Sequence, residues 1–530
     1  MSVRIHDLPK EWYDSKHYRP RIATSEGSEW FTLHPSFRPL TGPPESTEIE
    51  PTASPEALLT ALHRTRHQWG LPPNPKVMSP MQEGARAIVV TGQQPGFLGG
   101  PLYVFFKALT AIASARQIQK RTGRPCVPIF WVAGEDHDLD EVRTAHFPSA
   151  EGSVASFSYP GTKDRRPLSD YPIDAAAQKV IEDAKEHLRR RRFGDTAAEL
   201  LDLYKGRNLA SGFAAVLSKL LEHTGLLVLD PTNLRFYTAG LFERLIDDPA
   251  GALEAIERGR QEVEGKGIPP VVAGRLPLFL VENGQRHHLT LTGNGLSIDG
   301  GGRQFSRDEL LKRLAAKPEH FSAGALLRPL LQQYITPCVL TIGGAAEVGY
   351  FAQLGPLAEH LNIKPPKIAL RLNATLLDGS AARDVSPDDL IAIASAASPE
   401  GLVLSGARWP GQAAVADLSR HTETTLQELL KQIPDNTPGR KRLDSAAAKL
   451  IKDLGGFQQR LDKAWAQSRE VEFQRATRLW NQVFPADRLQ ERHWSFLHYV
   501  AKHGTAWIDS LLELVSKDPL KLTHRLVIFE

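Results

Sequence analysis

The sequence predicts an α/β protein: a doubly wound, Rossmann-like parallel sheet core with an inserted antiparallel β meander and a C-terminal α-helical coiled-coil hairpin. Three patterns carry that expectation. Between Ala85 and Val142 a short β-branched apolar run, a glycine-rich loop, a helical apolar period and a second apolar run succeed one another, which is the β-loop-α-β unit of a parallel sheet. From Pro269 to Phe305 apolar residues alternate with others around tight-turn pairs, as in antiparallel strands. From Leu443 to Ala464 apolar residues step by four and three, as on a helical seam.

The chain has 530 residues, enough for several domains. Its 64 Lys+Arg against 61 Asp+Glu leave a formal charge of +3, which argues against nucleic acid or another polyanion as partner. Its two cysteines, Cys126 and Cys338, sit in apolar strand-like settings and make no disulfide framework, so a reducing cytoplasm is expected. Neither an N-terminal signal core nor an apolar run long enough to span a bilayer is present, so no membrane is expected.

The elements follow in order. Residues 1–160 form the first part of the core. Leu40 to Pro55 is a proline-rich surface connection and Glu56 to Trp69 a short helix. Ala87 to Val90 is a buried strand, Thr91 to Gly100 a loop with four glycines, and Pro101 suits the first turn of a helix. Leu102, Phe105, Phe106, Leu109, Ile112 and Ala113 give that helix its period, Gly123 and Pro125 end it, and Val127 to Ala133 is the second strand. Residues 161–224 are a helical insertion, with helices at Ile173 to Arg192 and Leu200 to His223. The arginine run 189–192 reads as a solvated, dipole-favourable helix end.

Residues 225–268 continue the core from the strand Gly225 to Asp230. Residues 269–320 hold the meander, with turns at Asn283-Gly284 and Asn294-Gly295, followed by a capping box at Ser306 to Glu309. Residues 321–380 are the second part of the core: the strand Thr336 to Ile342, a helix from Ala345 to Leu361, and the strand Lys367 to Leu372. Residues 381–484 are the hairpin, two long helices turned by Pro434 to Pro438, projecting from the sheet domain and suited to homodimerisation. Gly455-Gly456 should weaken its second helix. Residues 485–530 return to the core and end in a strand from Arg525 to Phe529.

Two loops at strand ends stand out chemically. Gly96, Gly99 and Gly100 lead into a helix N-terminus, where free N–H groups favour a phosphate or carboxylate, with Gln93, Gln94 and Tyr103 beside it. The Gly-Lys-Ser/Thr ending of a Walker loop is absent, and the bare pattern suits an anion site and an ordinary strand-to-helix turn equally. Lys107 lies beyond the first turn. The second loop, Gly134 to Glu141, gathers five carboxylates around one histidine. Helix capping explains one or two acids. The remainder point to Mg²⁺ coordination by Asp136 and Asp138, to amine binding, or to acid–base work by Glu135, His137 and Asp138. A second glycine turn, Gly343-Gly344, brings Glu347 and Tyr350 to another strand end, and Arg328 and Arg371 are the candidate cations for a carboxylate or phosphate.

These same residues carry a family resemblance. Thr91-Gly-Gln-Gln-Pro-Gly-Phe-Leu-Gly-Gly-Pro-Leu-Tyr103 and Phe130-Trp-Val-Ala-Gly-Glu-Asp-His-Asp-Leu-Asp-Glu141 resemble the signature of the BshC family, the cysteine ligase of bacillithiol biosynthesis. The likeness continues at Leu327-Arg-Pro-Leu330, Gly343-Gly-Ala-Ala-Glu-Val-Gly-Tyr350 and Gln490-Glu-Arg492, and so covers nearly the whole chain. It implies cysteine and glucosaminyl-malate as substrates, an amide bond as product, and ATP with Mg²⁺ to activate the cysteine carboxylate. The His-x-Gly-His and Lys-Met-Ser-Lys-Ser signatures of class I synthetases are absent, which leaves open whether activation is by adenylate or acyl phosphate. Two rivals stay open: a glycosyl- or nucleotidyl-type transferase on the same core, and a non-catalytic pathway scaffold.

Overall fold

A computed structural model describes residues 3–7, 53–72, 74–85, 87–149, 153–265, 275–293, 295–298, 302–336, 338–365, 367–378, 393, 396, 398–406, 409, 411–521 and 524–529. Most of the Leu40 to Pro55 connection, and Asn294 of the second turn pair, lie outside them. The described residues form two compact units, one running to Leu376 and resuming at Arg488, the other spanning Leu377–Asp487.

The strands, in chain order, are β1 Val3–Asp7, β2 Ala87–Gln93, β3 Cys126–Val132, β4 Thr144–Pro148, β5 Val154–Ser158, β6 Leu227–Leu229, β7 Leu278–Glu282, β8 Gln285–Thr292, β9 Gly295–Ile298, β10 Gln304–Phe305, β11 Phe321–Ala323, β12 Cys338–Gly343, β13 Ile368–Leu370, β14 Asn373–Asp378 and β15 His524–Phe529. The central sheet has the order β13-β12-β2-β3-β6, and all its pairings are parallel. The chain leaves β2 to wind outward through β3 and β6, then returns to β12 on the other side of β2. The topological switch point lies between β2 and β12, whose carboxyl ends are where such sheets bind ligands. Every residue of β3 is buried, as expected of a strand with helices on both faces. The helix Leu102–Thr122 crosses from β2 to β3 and stops at Gly123, whose φ of 68° makes the left-handed cap.

The meander is a five-stranded antiparallel sheet of order β10-β9-β8-β7-β11. It takes in β11, which the partition at residue 320 had assigned to the core. Ser306 caps the following helix by accepting the Glu309 N–H. Two expected helices are interrupted. Leu200 to His223 divides into Gly194–Asp202 and Leu209–Leu221, because Gly206 turns left-handed and Asn208 starts a new capping box. Ala345 to Leu361 divides into Ala345–Phe351 and Gly355–His360 around a 3₁₀ turn. In the second unit, the helices Gln412–Lys431 and Arg440–Ser468 form the expected hairpin. The second helix runs unbroken through Gly455-Gly456. No helix of the described residues is long and apolar enough to cross a membrane.

Candidate active site

Over the switch point lies a cavity of about 320 Å³, lined by Gln93 and Gln94 from the end of β2, by Tyr103 and Lys107 from the crossover helix, and by Gly344, Glu347 and Tyr350 beyond β12. Its charged heart is a buried network. Lys107 donates to the Gly92 carbonyl at 2.9 Å and to Gln93 Oε1 at 2.8 Å, and its ammonium pairs with Glu347. Glu347 accepts the Gly344 N–H at 2.8 Å and receives Arg328 at 3.4 Å, while Arg328 also donates to the Tyr350 hydroxyl at 3.1 Å. Burial lowers the Lys107 ammonium to about 8, partly offset by Glu347. Burial alone would raise the Glu347 carboxyl, but Lys107, Arg328 and the Gly344 amide hold it below its usual value. Burial and the Glu141 charge push the Tyr103 phenol up to about 12.

A second cavity, of about 580 Å³, adjoins the first and shares Asp136, Ala325 and Arg328 with it. The Gly134–Glu141 loop forms one wall and the meander forms the other. Residues outside the loop hold its backbone: Leu168 donates to the Asp136 carbonyl at 2.6 Å and Ser169 to the Gly134 carbonyl at 2.9 Å. The five carboxylates do not converge. Glu135 is buried in an ion pair with Arg235. Asp136 accepts the His137 N–H at 2.7 Å and the Gln94 amide at 3.0 Å, and faces Arg286. Asp138 and Asp140 face Lys163, and Glu141 accepts Gln94 at 2.7 Å. Among the described residues, no group of three or more His, Cys, Asp or Glu side chains is disposed to hold a metal ion. The acids are drawn to three separate partners: Glu135 to Arg235, Asp136 and Glu141 to Gln94, and Asp138 and Asp140 to Lys163.

His137 and Glu135 line the larger cavity. Asp138 is not among the described residues that line either one. Burial and the Arg286 guanidinium lower the His137 imidazole below its ordinary value. Burial would raise the Asp136 carboxyl, but Arg286 and the His137 amide hold it down.

The glycine loop differs from the expected anion cradle. Gly96, Gly99 and Gly100 are buried away from both cavities. The Gly99 N–H bonds the Tyr204 hydroxyl at 3.2 Å, which itself donates to the Gly96 carbonyl at 3.2 Å. The Leu102 N–H, at the helix start, bonds the Trp494 carbonyl at 2.9 Å. Donors that an anion would need are taken up by the protein, and the glycines answer to packing: a Cβ on Gly99 would lie 2.7 Å from Phe496 Cζ, at a φ of 86°. Gly343 is held close against Ile368 and Glu347, while Gly344 reaches the smaller cavity. Arg371 also lines that cavity, but it is 2% exposed and already bonded to Glu491 at 2.7 Å, so it is less available to a ligand than expected.

Residues that the sequence reading passed over complete the site. Arg286 and His288 project from one face of β8 into the larger cavity, with the Arg286 guanidinium 3.6 Å from the centre of the Phe279 ring. Their signal was the face of the strand opposite Leu289, which carries an arginine and a histidine where an exposed strand would carry ordinary surface polars. Arg492 lines the smaller cavity from the Gln490–His493 turn.

A parallel sheet wound both ways, with buried lysine, arginine and carboxylate groups over its switch point, is the architecture of a Rossmann-like domain. Residues 45–372 match the family model "Bacillithiol biosynthesis BshC, N-terminal Rossmann-like domain", and residues 414–529 match its "C-terminal coiled-coil domain". Two similar proteins carry the name "Putative cysteine ligase BshC". That of Koribacter versatilis is 28% identical, with 89% of each chain covered; that of Salinibacter ruber is 27% identical, with 87% of each covered. Among solved structures, Thermus thermophilus arginyl-tRNA synthetase aligns over 91% of this chain and 93% of its own at 10% identity, with a TM-score of only 0.16. The chain belongs to the BshC family of bacillithiol biosynthesis.

Proposed function

We propose that this protein is the cytoplasmic ligase that joins the carboxyl of L-cysteine to the amine of glucosaminyl-malate, the last step of bacillithiol formation. The observation that carries the reading is the pair of adjoining cavities at the switch point, bridged by Arg328 and Asp136. A ligase must hold an acid and an amine side by side, and two chambers with one shared wall suit that task. Arg328 and Arg492 would supply guanidinium groups for the carboxylates of malate and cysteine, and Asp136 suits an ammonium. The cleft would also take the anionic part of ATP: Lys107, Arg328 and Arg492 would face its phosphates, and the nucleotide would supply the phosphoryl or adenylyl group that activates the cysteine carboxylate. The dispersed carboxylates do not fit a protein-held Mg²⁺ site, so no step is assigned to a resident metal.

The exposed Leu443, Leu450 and Phe457 of the second hairpin helix, 45%, 46% and 48% accessible, favour a homodimer formed through that face. The test of the activity is direct. Purified protein given cysteine, ATP and glucosaminyl-malate should yield bacillithiol by mass spectrometry, and Arg328→Met should lower turnover about 10²-fold or more. Absence of product with the wild type would refute the ligase reading.

A further inference from the structure

We infer that Arg286 fixes His137 in the neutral Nε2–H form, so that His137 serves the reaction as a hydrogen-bond donor to a substrate oxygen and Arg286 as its positioning residue. The geometry rests on one contact. Arg286 Nη1 lies 3.2 Å from His137 Nδ1. A guanidinium has donors and no acceptor, so Nδ1 must be the acceptor, and the single proton of the neutral ring sits on Nε2. Asp136 Oδ1 is 3.6 Å from the same ring nitrogen, too far for a hydrogen bond, and is committed to the His137 backbone N–H at 2.7 Å.

Arg286 is held so that it cannot turn away. Its Nε donates to Ser322 Oγ at 2.9 Å and its Nη2 to the Ala323 carbonyl at 2.7 Å, both from β11. Its backbone N–H donates to the Arg165 carbonyl at 2.8 Å. The guanidinium also lies over the Phe279 ring. His137 Nε2 has no hydrogen-bond partner among the described residues, and the ring lines the larger cavity. The side chain therefore offers the cavity an N–H and no lone pair. It suits a carboxylate, carbonyl or phosphoryl oxygen, and it is not a general base. The identity of that oxygen rests on the ligase reading; the ring form does not.

The experiment has two arms on the full-length protein. In the first, histidine ring ¹⁵N NMR, with His137 assigned by its loss in His137→Gln, should show Nδ1 unprotonated and Nε2 protonated. Arg286→Met should abolish that fixed form. In the second, bacillithiol synthesis is measured for His137→Gln, whose amide N–H falls near the position of Nε2, and for His137→Ala. His137→Ala should lose about 10²–10³-fold in kcat, the cost of one preorganised donor, and His137→Gln should recover most of that loss. Protonation at Nδ1 in the wild type, or a His137→Gln enzyme as inactive as His137→Ala, overturns the inference. Should the wild type form no bacillithiol, the ligase reading fails, and the NMR arm still decides the ring form.

Discussion

Arg371→Met isolates an ion pair buried deep in the core. Arg371 and Glu491 have side chains only 2% exposed, and Arg371 Nη2 meets Glu491 Oε1 at 2.7 Å. The other carboxylate oxygen accepts the Ala374 N–H at 3.0 Å. Burial would raise the Glu491 carboxyl, but Arg371 and its hydrogen bond hold it below its ordinary value. Removing the guanidinium leaves a buried carboxylate with one backbone donor, a change that costs about 3–5 kcal/mol. Replacing both partners, as in Arg371→Met with Glu491→Met, removes the stranded charge and should recover most of the loss. The assay is urea unfolding of the full chain, followed by the fluorescence of Trp131 and Trp507, both buried in the first unit. The sign in pH follows from the depressed carboxyl. Its contribution is fully present above the unfolded carboxylate value and is lost as pH falls through the lower folded value. A single-variant loss below about 1 kcal/mol, or a double variant as unstable as the single one, would refute the account of this pair as a mutually compensated buried charge.

Five further outcomes are expected. Lys107 should lose its proton near pH 8, so the KM for an anionic substrate should rise above that pH in the wild type, whereas Lys107→Gln should start with a raised KM and lack the limb. For global stability the same depressed value works in the other direction: between about 8 and the unfolded value of 10.5 the unfolded chain holds more proton, so this group's contribution to stability increases with pH. Gly99→Ala places a Cβ against Phe496 at a left-handed φ and should lower stability by about 2–5 kcal/mol in the same urea titration. Tyr204→Phe leaves the Gly99 N–H and Gly96 carbonyl without their buried partner and should cost about 1–3 kcal/mol, read as a lower thermal midpoint. Phe457→Lys, with Leu450→Lys, should shift the protein from dimer to monomer in sedimentation velocity; an unchanged mass would remove this face as the dimer contact.

The parts of the fold legible in the sequence are those written in local pattern. The five parallel strands show as short apolar runs and the meander and the hairpin as longer periods, and the switch point follows from strand order once the strands are known. The helix break after Asp202 was masked because Leu203 and Leu209 prolong the apolar period across a turn that only Gly206 and Asn208 announce. The site was legible in its residues and less so in their relations. Gln93, Glu347 and His137 do line the cavities, but whether an acid is free depends on partners far along the chain: Arg235 for Glu135, Arg286 for Asp136, Lys163 for Asp138. The glycine loop shows the same limit. Its composition suits a phosphate and a close-packed turn equally, and the residues that decide between them, Tyr204 and Trp494–Phe496, are a hundred or more positions away.

That last contact sets an order of events during synthesis. Ser495 donates to the Leu98 carbonyl, Trp494 accepts the helix-starting Leu102 N–H, and Phe496 packs on Gly99, so the loop after β2 gets its roof from the end of the chain. On the ribosome, at about 5–20 residues per second, roughly 20–80 s separate the emergence of the loop from that of its roof. Throughout that interval the Leu102 amide and the Leu98 carbonyl lack these partners, and the entire hairpin must be made before they can be met. A chain cut short after the hairpin would lack Trp494, Ser495 and Phe496, and so would leave the loop after β2 without its roof.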